Sequence, residues 1–364
     1  MTKKKPFVLL SLLLAIGLFV AACGKDDNDK SSSSTSTTAG GSSSVDYSSL
    51  SGTINGSGSS FTNQFLAASI AALQDKASGL TVNYNPTGSG QGKKDFGTGL
   101  VDFAGTDSLV KAGDGPADGS FLYVPTVAAP ITVSYNLSSV KDLKLSADTL
   151  AGLFSGTIKK WNDAAVKADN PGATLPSTNV VIAHRADASG TTSNFTKYLT
   201  KAAPTAWKLG QGDTVAWPTD SQAGQKNTGV AQIVKSTDGA IGYVDLADAT
   251  SAGLVFAQIK NADGKFVKPT VAGADAAVAG ATVNADLSYD PINATGADAY
   301  PITSPTFLLL RSTYAKQATL DAVKGFVTFL LTDGQSLAAS NNYAKLSDSL
   351  RQQALAQLDK IKVG

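Results

Sequence analysis

His184 is the only imidazole in a chain of 364 residues, and Arg185 beside it is one of three arginines among twenty-seven lysines. They open the stretch HRADASGTT (184–192), in which Asp187, Ser189, Gly190 and Thr191 follow. Two chemistries fit such a run. An imidazole with an aspartate nearby can activate a nucleophile. A guanidinium beside a Ser-Gly-Thr helix start can instead hold an anion. The hydrolase reading lacks its other parts: the chain has no G-x-S-x-G elbow. Ser138-Ser139-Val140-Lys141 fits S-x-x-K but has no K-T-G or S-D-N partner. The anion reading is better supplied. Arg185 offers a planar, permanently charged donor fork suited to phosphate. Asp187, two residues on, would lock that fork, because an unpaired buried guanidinium is expensive.

Asp107 closes VDFAGTD (101–107), at the end of an apolar strand. A carboxylate beside an anion repels it, unless the anion brings a proton to donate. Hydrogen phosphate does; sulfate at neutral pH does not. One acceptor among many donors therefore accepts phosphate and leaves sulfate facing an unmatched group. Such a buried mismatch costs ~1–3 kcal/mol, and more when charged.

These residues need a scaffold that brings distant segments together, and the hydrophobic pattern supplies one. Strand-like runs alternate with helical ones, which predicts an α/β fold. Strands are expected at 51–55, 80–85, 101–105, 180–183, 240–244 and 306–310, and helices at 61–76, 91–97 and 193–201. Two surface helices are expected at 325–331 and 350–361. Three times a strand gives way to a Gly/Ser/Thr stretch and then a helix: GSGSSF (56–61), TGSGQG (87–92) and DASGTT (187–192). Each junction aims unpaired backbone N–H groups at one place. In open α/β sheets ligands sit at the carboxyl ends of the strands.

Composition narrows the class further. All 29 acidic residues are aspartates, and the single cysteine, Cys23, rules out an internal disulfide. One histidine and scattered aspartates give no metal-ligand spacing. Neither glycine-rich loop is a G-x-x-x-x-G-K-[ST] nucleotide loop. Residues 1–22 read as a lipoprotein signal peptide: Lys3, Lys4 and Lys5, an apolar core from Phe7 to Val20, then Val20-Ala21-Ala22-Cys23 as the lipobox. Without residues 1–22 the chain has 27 basic and 29 acidic residues, no footprint for nucleic acid. Residues 23–49 combine the lipidated cysteine with a Ser/Thr-rich tether too poor in apolar groups to fold. The remaining length exceeds what one core usually holds, so two lobes are expected.

Taken in order, GSGSSF, YNPTGSG, VDFAGTD, TIKKWND (157–163), HRADASGTT, GAIGYV and YPIT (300–303) resemble the phosphate-binding protein (PstS type) of bacterial phosphate ABC importers. The resemblance runs from about Ser51 to the C-terminus and is weak over 264–299. It implies a two-lobed periplasmic-binding-protein (Venus-flytrap) fold with inorganic phosphate between the lobes and no cofactor or catalysis. Lobe I would comprise 50–126 and 301–364 and lobe II 127–300, with hinge crossovers near Pro125-Thr126 and Tyr300-Pro301. By motif, Ser60 and the backbone N–H of Phe61 would bind phosphate, Ser89 would donate its hydroxyl and Asp107 would accept the ligand proton. Arg185 would pair with the anion and with Asp187, and Ser189, Gly190 and Thr191 would supply lobe II donors. His184 stands where the family often has a second arginine, and Ala188 where glycine is common. The implied protein is a monomer held by Cys23 on the extracytoplasmic face of the bacterial cell membrane, serving an ABC permease. A binder of another oxyanion (sulfate, molybdate or tungstate), an extracellular phosphoester hydrolase on the same scaffold, and an adhesion or phosphate-sensing protein remain the alternatives.

Overall fold

The structure is a computed structural model that describes residues 46–364. The expected signal peptide, Cys23 and the expected tether as far as residue 45 lie outside the described residues. The last tether residues depart from expectation. Tyr47 is buried, its ring edge-on to Phe329 and its hydroxyl 3.0 Å from Thr332 Oγ1, so ordered structure begins earlier than composition predicts.

Each junction falls where a strand gives way to a helix. β1 (Ser51–Gly58) leads into α1 (Asn63–Gln74), and β2 (Gly79–Asn85) into α2 (Ser89–Gly97). β3 (Phe103–Thr106) ends at Asp107, and β4 (Phe121–Tyr135) follows. β5 (Val181–Arg185) leads into α3 (Gly190–Ala202), and β6 (Gln222–Gly224) into α4 (Lys226–Ser236). β7 (Ala240–Asp245), β8 (Thr303–Arg311), α5 (Gln317–Leu331) and α6 (Asp348–Gln357) complete the frame. These strands form one nine-stranded sheet in the order β2-β1-β3-β8-β4-β7-β5-β6, with Val255–Phe256 added on β4.

β4 is the spine. Its residues 121–130 pair antiparallel with β8, and Ile131 to Tyr135 pair antiparallel with β7. The change of partner divides the sheet: β1, β2 and β3 run parallel on one side, and β5, β6 and β7 on the other. Both parallel groups send the carboxyl ends of their strands into helix starts. Hydrogen bonds brace the crossing: Tyr300 Oη donates to the Ile131 carbonyl at 2.9 Å, and the Thr126 and Thr306 hydroxyls meet at 2.6 Å.

Of the two helices expected on the surface, the first is packed instead, while the second buries one face and leaves Asp348, Ser349, Gln352, Gln353 and Ala356 exposed. α5 starts eight residues before Gly325 and buries Leu320, Val323, Phe326, Val327, Phe329 and Leu330 against β1 and α1. Burying each large side chain is worth roughly 1.5–3 kcal/mol, so this helix is core. α6 buries Leu350 and Ala354, and Gln357 donates to the Tyr123 carbonyl at 3.1 Å. Trp161 of the TIKKWND stretch is fully buried, with its indole N–H donating to the Gly239 carbonyl at 2.9 Å.

Candidate functional site

The starts of four helices meet at one cleft between the two strand groups. From the first group come Ser59 to Phe61 before α1, Ser89 at the start of α2, and Asp107 after β3. The second contributes Arg185 at the end of β5, Gly190 and Thr191 opening α3, and Asn227 opening α4. Helix starts leave backbone N–H groups unpaired and carry the positive end of the helix dipole, so their meeting point favours negative charge.

Asp107 lies within this ring of donors, almost wholly buried. Ser59 Oγ lies 2.7 Å from both its carboxylate oxygens, and Ser89 Oγ donates to Oδ2 at 3.3 Å. The parallel register explains the meeting: Gly58 of β1 stands opposite Gly105 of β3, so both chains leave the sheet side by side. Burial pushes the Asp107 carboxyl up to about 7; the Ser59 hydroxyl, the Arg185 charge and the Ser89 hydroxyl pull it down without cancelling that effect. Near neutral pH this group is poised to accept or donate a proton.

Arg185 is as buried as Asp107. Its Nε donates to Asp187 Oδ1 at 2.9 Å and its Nη2 to Asp187 Oδ2, a two-pronged pair. Its Nη1 donates to Asn227 Oδ1 at 3.0 Å and points at Thr191 Oγ1 at 3.4 Å. Lys226 N also donates to Asp187 Oδ1, at 2.9 Å. Burial alone would raise Asp187, but the Arg185 hydrogen bonds and charge outweigh it and hold the carboxyl below its ordinary value. Asp187 thus fixes the guanidinium plane. The arginine itself comes from the strand, which reaches two residues beyond the predicted 183.

The remaining residues close the ring. Ser60 Oγ accepts from Asn227 N at 3.4 Å, and Phe61 N donates to Ser59 Oγ at 3.0 Å. Ser189 caps α3, its Oγ accepting from Thr192 N at 3.2 Å. Gly190 sits hard against the other side: a β-carbon there would be 2.6 Å from Ser89 Oγ and 2.9 Å from Asp107 Oδ2. Ala188, where glycine was the expected residue, uses its carbonyl to accept from Gly90 N at 3.1 Å across the cleft. Asn194 Nδ2 donates to the Asp107 carbonyl at 2.6 Å, tying α3 to the end of β3.

Ser60, Phe61, Ser89, Asp107, Arg185, Asp187, Ser189, Gly190 and Thr191 are therefore at or beside one cleft. His184 is turned elsewhere. Its ring stacks on Trp217 with centroids 5.2 Å apart, and Nδ1 lies 2.9 Å from the Arg185 carbonyl. Burial lowers its proton affinity below the ordinary value of 6.5, with that carbonyl contact opposing. Ser59 and Asn227 escaped the sequence reading. Ser59 was legible only as part of a serine pair, and α4 opens at Lys226 behind Gln225, without a Ser, Thr or Asp cap.

A cavity of about 280 Å³ borders Asp107, Ser108 and Asn194 and reaches Lys111 and Lys197. A larger groove of about 670 Å³ lies elsewhere, between α1, β2 and Leu100, with Asp95 as its only charged lining residue. It offers an anion no cationic donor, so the chemistry points to the Asp107 cleft. Among the described residues no cluster of three or more metal-ligating side chains occurs.

The PBP superfamily domain model matches residues 31–334. The phosphate-binding protein PstS of Pasteurella multocida is 36% identical over 311 residues, covering 84% of this chain and 89% of that protein. Phosphate-binding protein PstS3 of Mycobacterium bovis is 31% identical over 355 residues, covering 93% and 94%. Among solved structures, a phosphate-binding protein from Stenotrophomonas maltophilia aligns with a TM-score of 0.63 at 21% identity, covering 84% of this chain and 94% of that one, a likeness of fold. The fold, the order of its motifs and these relatives agree: the chain belongs to the PstS family of phosphate-binding proteins, within the periplasmic-binding-protein superfamily, a family of binding proteins and not of enzymes.

Proposed function

We propose that this protein is an extracytoplasmic receptor that binds inorganic phosphate and delivers it to an ABC permease, anchored by lipid on Cys23. The carrying observation is the buried Asp107, one carboxylate set among hydroxyls, helix starts and the Arg185 fork. A purely attractive anion site would have no use for it. A site for a proton-bearing oxyanion needs one acceptor, and Asp107 supplies it. The PstS relatives carry phosphate in their names, which supports the same ligand.

In this reading Ser60, Phe61, Ser89 and Asp107 bind from lobe I (50–126 and 301–364). Arg185, Ser189, Gly190 and Thr191 bind from lobe II (127–300), and Asp187 orients the arginine. Ser59 and Asn227 join them, Ser59 by orienting Asp107 and Asn227 by bridging Arg185 to Ser60. Opening and closing would turn on β4 between Pro125 and Ile131 and on the return strand near Tyr300–Pro301, a few residues absorbing the change of backbone angle. The receptor would act as a monomer. Sulfate, molybdate and tungstate lack the proton Asp107 requires, which disfavours them as ligands.

Equilibrium dialysis of the mature chain against radiolabelled phosphate tests the binding. One phosphate bound per chain is expected, with equimolar sulfate displacing little of it. No retained label, or equal displacement by sulfate, would overturn the reading. The anchor is checked separately by labelled fatty-acid incorporation, which Cys23→Ala should abolish.

A further inference from the structure

Asp213 sits between α3 and β6 on the lobe II side, yet its carboxylate is engaged by lobe I. Its Oδ2 accepts from Lys93 Nζ at 2.9 Å and from Ser108 Oγ at 3.1 Å. Lys93 belongs to α2, and Ser108 directly follows Asp107. The backbone carbonyl of Asp213 accepts from Ser189 N at 2.9 Å, and Ser189 caps the helix that presents Gly190 and Thr191. One residue therefore touches both jaws of the cleft, next to the groups assigned to the anion on each side.

Lys93 makes the contact strong. Its side chain is only 1% exposed, and Asp213's is 16% exposed. A buried ammonium is tolerated only with carboxylate partners, and Lys93 has two. Asp114, from its own lobe, lies 2.8 Å away; Asp213, from the other, completes the set. Parting the lobes would remove one of the two and expose the Ser108 hydroxyl together with it.

We propose that Asp213 is a positioning residue that latches the closed receptor and sets how fast phosphate leaves. The inference rests on the phosphate-receptor reading. The ion pair forms as the lobes meet, so it slows opening and leaves the encounter with phosphate nearly unchanged. Interactions of this kind, buried and specific, act mainly on dissociation.

The test is phosphate release from the mature chain, measured by chasing bound label with excess unlabelled phosphate, beside the association rate. Asp213→Asn preserves shape and the carbonyl that Ser189 needs, and Lys93 keeps Asp114, so the variant is expected to fold. Release should be about tenfold faster or more, with association within about twofold of the parent. Adding Lys93→Met to Asp213→Asn should change release little further, because the pair is already broken. Asp114→Asn, which removes the partner within the same lobe, should release at a rate close to that of the parent. Parent-like release from Asp213→Asn would overturn the latch. Equal acceleration by Asp114→Asn would also overturn it, since Lys93 would then act only through the stability of its own lobe. Failure of the unaltered chain to bind phosphate would be a different result, removing the receptor reading and the latch with it.

Discussion

The titration of Asp107 turns the proposed selectivity into a pH-dependent quantity. Burial raises the group to about 7, against an ordinary 3.8. Ionising it inside the fold therefore costs free energy that grows as pH rises from about 4 to 7 and stays constant above. Above 7 the group is a carboxylate and only accepts. Sulfate has no proton to offer, so it binds well only after Asp107 takes one from water. That uptake costs about 1.4 kcal/mol, or tenfold in affinity, for each pH unit above 7. Hydrogen phosphate still carries a proton at pH 9 and donates it directly, so its affinity should stay nearly level. Between pH 7 and 9 the preference for phosphate over sulfate should widen about a hundredfold. Below pH 7 the protonated carboxyl donates to either anion, and the preference should level off at its smallest. Competition titrations at pH 6, 7, 8 and 9 measure this ratio. Asp107→Asn should flatten the profile, because a carboxamide can donate to sulfate at any pH. A sulfate affinity that does not change between pH 7 and 9 in the unaltered chain would refute the reasoning.

Two further substitutions separate binding groups from bystanders. Arg185→Ala removes the fork and leaves Asp187 without its cation, so phosphate affinity should fall about a hundredfold or more by calorimetry. His184→Ala should stay within a few-fold, because that ring stacks on Trp217 and meets Arg185 only at its backbone carbonyl, away from the guanidinium. Comparable losses from both would mean that the anion lies elsewhere. Gly190→Ala puts a β-carbon 2.8 Å from Asp107 Cβ, on the opposite side of the cleft. Phosphate should raise the thermal midpoint of the parent but leave that of this variant unmoved.

How much of this was legible in the sequence depended on where the physics is local. Junctions are local: a strand, a run of small residues and a helix start all lie within a few positions, and each of the three read from the sequence lines the cleft. Arg185 and Asp187 were readable because a two-residue spacing can close a side-chain pair. β4 was not readable as a strand. Pro125 and Pro130 interrupt its pattern, and proline ordinarily argues against a central strand. Pro125 lies beside the register break between Pro305 and Phe307, and Pro130 lies where β4 changes partner from β8 to β7, so both fall at irregular points of the ladder. Burial of α5 was invisible for a similar reason, since a helix that covers another layer shows its depth only when the layer is in place. Asn227 needed the return of α4 across the cleft, which no short motif marks. Asp213 needed both sides of the cleft at once.

Calorimetric titration of the mature chain with inorganic phosphate in an equal concentration of sulfate at pH 9 tests the central claim most directly. One phosphate per chain should bind, with an affinity almost unchanged by the sulfate. Loss of the phosphate signal in proportion to the sulfate added would contradict the account, because Asp107 would then not be reading the ligand's proton.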